Sequence, residues 1–161
     1  MNNSISTTID LQKKIGIASD HAGFELKGYL VKKLWEEGYA VIDFGDDELK
    51  PDDDYPDYVI PLSQAIAKGT ITRGIAVCGS GVGACIAANK TAGVRACLIN
   101  EKFSAHQGVE DDNMNLICLG GKVVDRTLAW KLVTIFLTAK FSAVERHIRR
   151  LEKVKALENV Q

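Results

Sequence analysis

The chain alternates short apolar runs with longer stretches in which apolar residues recur every three or four positions. Residues 14–18 (KIGIA) are the first such run. A run of that length between polar residues reads as a buried strand. Ser19 and Asp20 close it, and both are good helix N-cap types. Residues 24–37 then put Leu26, Leu30 and Leu34 on one face of a helix, which Gly38 stops. Residues 40–44 read as a second strand, followed by an acidic loop at 46–54. A helix over 55–68 is entered through Pro56, and Pro61 either kinks it or marks its true start. Further strands are expected at 74–78, 94–99 and 116–119. Further helices are expected at 83–90, weakly at 101–107 up to Gly108, and strongly at 125–141. Ser142 and Glu145 make an S-x-x-E capping box that opens a last amphipathic helix to about residue 158. Val144, Ile148, Leu151 and Val154 are its apolar positions.

Five strands alternating with helices predict an α/β fold, a three-layer α/β/α, Rossmann-like arrangement around a five-stranded parallel sheet. A length of 161 residues suits one domain. That domain is expected at 14–158, behind a polar leader at 1–13 that reads as disordered. In such folds the site lies at the carboxyl ends of the strands. The residues expected there are Ser19-Asp20-His21, Phe44-Gly45, Cys78 to Gly83, Asn100-Glu101 and Gly120-Gly121-Lys122.

Charge and cysteine content then exclude several classes. A net charge of −1 gives no electrostatic case for nucleic acid or an anionic membrane. No apolar run approaches a membrane span, and the first dozen residues lack the apolar core of a signal peptide. The four cysteines (Cys78, Cys85, Cys97, Cys118) form no CxxC pair and no Cys/His ligand spacing. That argues against a disulfide framework or a zinc site and for a reducing cytoplasm. The acidic loop lacks the glycine and closing glutamate of an EF-hand, so it reads as solvated. No metal and no cofactor is expected.

The strongest chemical signal is Cys78-Gly79-Ser80-Gly81-Val82-Gly83. It puts a thiol at the end of a buried strand and beside a helix start, where amides and the helix dipole favour a thiolate, a phosphate or an oxyanion. Cys85, Cys97 and Cys118 read as small buried hydrophobes. Asp20 caps the first helix on the simplest reading, yet with His21 it makes a polar pair that can hold hydroxyls or move protons. Arg146 and Arg150 share a face in the first turns of the last helix. Cations are disfavoured there unless an anion is bound, so a phosphate gripped by both is expected. A rival reading is dinucleotide binding, because Gly79-x-Gly81-x-x-Ala84 is followed by Glu101. The motif follows the third strand rather than opening the domain, which weakens it.

Together these residues resemble the type B ribose-5-phosphate isomerase family, with its galactose-6-phosphate and allose-6-phosphate isomerase relatives. The marks are Ser-Asp-His-Ala-Gly at 19–23, Asp54-Tyr55-Pro56, the Cys78 to Gly83 turn, Ala-Ala-Asn-Lys at 87–90, Gly120-Gly121-Lys122 and Arg146-His147-x-x-Arg150. The resemblance implies metal-free aldose–ketose isomerisation of a sugar phosphate. Cys78 would be the base between C1 and C2, with Ser80 moving the proton between the oxygens. Amides of Gly79, Gly81, Val82 and Gly83 would hold the enediolate, and Asp20, His21 and Tyr55 would touch the sugar. Arg146, Arg150 and Lys122 would bind phosphate, Lys122 standing where an arginine is usual. Many members carry a His-Asn pair that a partner subunit donates for ring opening. Here Asp111 and Asp112 stand in its place. The resemblance therefore implies a homodimer, or a dimer of dimers, with shared sites, and a substrate of the ribose 5-phosphate and ribulose 5-phosphate type if Asp111 and Asp112 share a proton and still open the ring; the alternative, with no ring opening, is a tetrose 4-phosphate or a hexose 6-phosphate. A sugar-phosphate-binding module without catalysis is the alternative from another class.

Overall fold

A computed structural model describes residues 14–159. The expected leader lies outside these residues. The strands are β1 Lys14–Ser19, β2 Ala40–Asp43, β3 Arg73–Cys78, β4 Ala96–Leu98 and β5 Leu116–Gly120. They form one all-parallel sheet in the order β2-β1-β3-β5-β4. The helices are α1 Phe24–Glu36, α2 Tyr55–Ala67, α3 Val82–Ala88, α4 Lys102–Asp112, α5 Arg126–Thr138 and α6 Glu145–Ala156.

The alternation along each strand separates two cores. Ile15, Ile17, Ile75, Val77, Ile117 and Leu119 face one side, where α1, α4 and α5 pack through Leu30, Leu34, Val109, Leu132 and Phe136. Ala18, Ala76 and Cys118 face the other, where α2 and α3 pack through Val59, Leu62, Ile66, Ala84 and Ala88. The second face is lined by small residues, and α2 lies close on it. A Cβ at Gly16 would stand 2.5 Å from Leu62 Cδ1. The strand order reverses between β1 and β3, so the crevice at their carboxyl ends is the switch point where such folds bind ligands.

Three expected boundaries shift for local reasons. The weak helix does not stop at Gly108. It runs on to Asp112, because Gly108 packs under Met114, and Asn113 ends it with φ of 49°. The apolar helix α5 ends at Thr138, where the Arg73 guanidinium takes the carbonyls of Phe136 and Ala139. The capping box at Ser142 and Glu145 does not form. Val144 is the N-cap and has no side-chain bond, while Ser142 Oγ meets His147 Nδ1 at 2.7 Å. Ala143 with φ of 51° turns the chain between them and takes Ser142 out of cap register.

Candidate active site

β3 delivers Cys78 to the switch point, where it is buried. Its sulfur accepts the N–H of Gly81 at 3.2 Å. The turn can aim that amide inward because Gly81 has φ of 81°. A Cβ there would lie 2.5 Å from Leu98 Cδ1 and 2.9 Å from the Leu119 carbonyl carbon. The sequence demands glycine twice over, for backbone sign and for space. Ser80 is exposed beside the thiol, and its Oγ accepts the Val82 N–H at 3.3 Å. Tyr55, the first residue of α2, lays its ring against Gly83, where a Cβ would meet Tyr55 Cζ at 2.7 Å. α3 has seven residues, so the turn amides rather than a long helix dipole are what an anion would meet.

Two neighbouring turns close around this one. Gly121 N–H donates to the Cys78 carbonyl at 2.8 Å, and Lys122 N–H to the Gly79 carbonyl at 3.0 Å. The exposed Lys122 side chain lies near Gly79, with Cδ 4.0 Å from where a Cβ would be. From β1, Asp20 is buried and caps a 3-10 turn, His21–Gly23, by accepting the amides of Ala22 at 3.0 Å and Gly23 at 3.2 Å. The capping role holds, although for this turn rather than directly for α1. Gly121 comes within 2.6 Å of the Ala22 carbonyl at its Cβ position, so the three turns press backbone on backbone.

The acidic loop is not simply solvated. Asp53 Oδ1 accepts the main-chain N–H of His21 at 2.9 Å and meets its Nδ1 at 2.7 Å. That hydrogen bond raises the His21 pKa above its ordinary 6.5, and the Asp20 and Asp53 charges add to the effect. Asp46 accepts the Tyr58 hydroxyl at 2.6 Å, and its carbonyl takes the buried Lys27 ammonium at 2.7 Å. Asp53 was not legible as a site residue. The only signal was its place in the Asp52-Asp53 pair just before the Asp54-Tyr55-Pro56 mark. Donor atoms of Asp20, His21 and Asp53 lie within 4.8 Å of one another. Asp20 is engaged by two amides and Asp53 by His21, so the cluster is a cap next to an ion pair.

Cys85 departs from the inert reading. It is half-buried, and hydrogen bonding to the neighbouring Cys118 thiol, helped by Asn89 Nδ2 3.6 Å from its sulfur, lowers its pKa to about 6. Cys118 is raised in return, while burial raises Cys97.

Asp111, Asp112, Arg146 and Arg150 are elsewhere. Helices in a parallel sheet run back against the strands, so α4 ends at Asp112, just before β5 begins. Asn115 marks that end: its carbonyl accepts from Gly74 at the start of β3, and its Oδ1 from Arg95 before β4. Cys78 pairs with Gly120 at the other end. The five-residue strand between these two ends spans roughly 16 Å at ~3.3 Å per residue. At the amino end Asp111 accepts Gln107 Nε2 at 2.8 Å and lies 3.5 Å from His147 Nε2. The Arg146 Nε–H donates to that same nitrogen at 3.0 Å, which puts the imidazole proton on Nδ1, toward Ser142. The chain thus brings Asp20, His21, Tyr55, Cys78 to Gly83 and Lys122 together, and holds Asp111, Asp112, Arg146 and Arg150 as a second group. Glu101, needed for a dinucleotide ribose, is spent capping α4 through the amides of Phe103 and Ser104.

A profile of the ribose/galactose isomerase family matches residues 15–154. The chain belongs to that family. Ribose-5-phosphate isomerase B of Escherichia coli (strain K12) is 40% identical over 146 residues, 91% of this chain and 97% of that one. D-erythrulose-4-phosphate isomerase of Pectobacterium atrosepticum is 35% identical over 127 residues, 79% of this chain and 84% of that one. The crystal structure of ribose-5-phosphate isomerase B from Mycoplasma genitalium with bound ribulose-5-phosphate superposes with a TM-score of 0.88 at 36% identity, covering 92% of this chain and 97% of that one. Membership bears out the α/β fold and the resemblance read from the motifs, and it makes the chain a sugar-phosphate isomerase of the ribose-5-phosphate isomerase B type. No helix among the described residues is long and apolar enough to cross a membrane.

Proposed function

We propose that this isomerase interconverts an aldose phosphate and a ketose phosphate, of the ribose 5-phosphate and ribulose 5-phosphate type, with Cys78 as the base. The observation that carries the reading is the buried Cys78 sulfur at a strand end, held by the Gly81 amide with the Ser80 hydroxyl beside it. The Cys78 thiolate takes the C2 proton of the open-chain aldose and returns it to C1. Ser80 moves the proton between O1 and O2. The turn amides from Gly79 to Gly83 meet the negative oxygen of the enediolate as it forms, where preorganised donors act most strongly. Asp20, His21 and Tyr55 line the sugar. No metal enters this scheme, since base and oxyanion donors both come from the turn.

Arg146 and Arg150 bind the phosphate of a site on a second copy of the chain. The span of β5, roughly 16 Å between the ends that carry the two groups, supports this. A symmetric dimer would complete two sites at once.

A second reading concerns the sugar. Asp111 stands where relatives of the resembled family carry a histidine for ring opening, and it is already engaged by Gln107. A four-carbon sugar phosphate cannot close a phosphate-bearing furanose and needs no such group. The similarity to a D-erythrulose-4-phosphate isomerase points the same way. The test is kcat/KM across tetrose, pentose and hexose phosphates, for the native protein and Cys78→Ala, with and without EDTA. Loss of turnover in Cys78→Ala on every substrate is expected, with no effect of EDTA. Near-native turnover would remove Cys78 as base. Alkylation is read residue by residue in a Cys85→Ser background, because the acidic Cys85 thiol competes for the reagent.

A further inference from the structure

The acidic loop carries one residue that the reading above leaves without a role. Asp53 reaches out of the β2–α2 connection and takes both the main-chain N–H of His21, at 2.9 Å, and its Nδ1, at 2.7 Å. The Asp53 carboxylate is 8% exposed, whereas the His21 side chain is 38% exposed. We propose that Asp53 is a positioning residue for the isomerase: by seizing the backbone and Nδ1 of His21 it fixes the ring and leaves Nε2–H facing outward as a donor to the anionic end of the substrate.

The geometry supplies the physical reason. A carboxylate on Nδ1 selects the tautomer or charge state in which Nε2 carries a proton. The double contact removes ring rotation as well, so the donor is held before substrate arrives. Ala22, the next residue, lies against the catalytic turn, 3.6 Å from the Cβ position of Gly79. Asp53 in the loop and Asp20 at the end of β1 set the charge on His21, while Lys50 of the loop and Tyr58 of α2, which is bound to Asp46, face Asp53. The hydrogen bond from Asp53 and the two acidic charges raise the His21 pKa against its desolvation, so the imidazolium persists to higher pH than in an ordinary histidine. Asp53 thereby extends the pH range over which this corner attracts a dianionic phosphate.

The inference rests on the sugar-phosphate reading, and two measurements separate their failures. The first is an NMR titration of the His21 ring in the free protein, native and Asp53→Asn, with and without inorganic phosphate. The His21 midpoint should fall in Asp53→Asn, and the phosphate-induced shift of Nε2 should shrink. The second is KM and kcat between pH 6 and 9. KM of Asp53→Asn should match the native value near pH 6 and rise several-fold by pH 8, with kcat within about twofold. Ionisation of the phosphate itself is common to both proteins and cancels in the ratio. Asp53→Glu should restore much of the native profile. In His21→Gln only the pH dependence of the substrate phosphate and the base should remain, and adding Asp53→Asn should change nothing further. An unmoved His21 midpoint, or a loss of kcat at constant KM, overturns the proposal. A protein inactive on every sugar phosphate would sink the functional reading alone, because the titration still reports whether Asp53 holds His21.

Discussion

The two ends of the sheet are built differently. At the carboxyl end three turns interlock, with Gly81 sealed against Leu98 and Leu119, and Gly121 against Ala22. At the amino end Gly93 has the same left-handed backbone, φ of 83°, yet nothing lies within 4 Å of its Cβ position. The helix that carries Arg146 and Arg150 leaves Val144, Ile148, Val154 and Leu157 about half exposed or more, and beside it opens a groove of about 940 Å³ lined by Gly93, Arg95, Cys97 and Leu151. One end is finished within the subunit. The other leaves charges and an apolar helix face open. On the function proposed above, with the base at one end and the phosphate grip at the other, a symmetric pair would join two halves of a site.

This contrast is broken most sharply by Cys78→Ala. Loss of a general base should lower kcat by about 10²–10⁴-fold while KM stays near native. Steady-state kinetics with the preferred sugar phosphate is the check, and a loss in KM alone would make Cys78 a binding residue. Next in size is Arg146→Ala or Arg150→Ala. Each removes a charge-assisted hydrogen bond of about 1.5–3 kcal/mol, roughly 10–150-fold in KM, with kcat little changed. The unaltered KM of both variants would return them to the solvated surface.

The glycines sharpen the comparison on the stability side. Gly93→Ala meets only backbone strain, about 1–2 kcal/mol. Gly81→Ala adds overlap with Leu98 and the Leu119 backbone, for about 1–3 kcal/mol more. Chemical denaturation of the two variants side by side reads the difference, and equal losses would mean the catalytic turn is not the tighter of the two. The smallest effect is in pH. The raised His21 pKa keeps its positive charge past pH 6.5, and that charge is lost as pH climbs through the raised value. KM for the dianionic substrate should therefore hold to higher pH than an ordinary histidine allows and rise once the raised value is passed, as pH profiles would reveal.

The carboxyl end was readable because its constraints are local. A strand that ends in Cys78, a turn spaced by glycines and a cap at Asp20 each follow from neighbouring residues. The same logic found the five strands and the sense of the sheet. Where a partner beyond the element itself decides, the pattern gave no warning. Gly108 stays helical because Met114 covers it. Ser142 serves His147 rather than capping α6, since Ala143 redirects the chain. Asp53 finds His21 across 32 positions, and Cys85 is acidified by Cys118, a neighbour from another element. That Asp111, Arg146 and Arg150 lie away from Cys78 follows from the crossover topology, which only the assembled sheet displays.

The central claim is that the base and the phosphate grip of one site come from different subunits, and a mixing experiment tests it most directly. Cys78→Ala and Arg146→Ala/Arg150→Ala proteins, each inactive under subsaturating substrate, are unfolded together, refolded at equal amounts and assayed. Random pairing makes half the dimers mixed, and each mixed dimer holds one site with both Cys78 and the arginines intact. The account predicts recovery of about one quarter of the native specific activity. No recovery, in a mixture shown by mass spectrometry to contain the mixed dimer, would place base and arginines in the same subunit's site and contradict it.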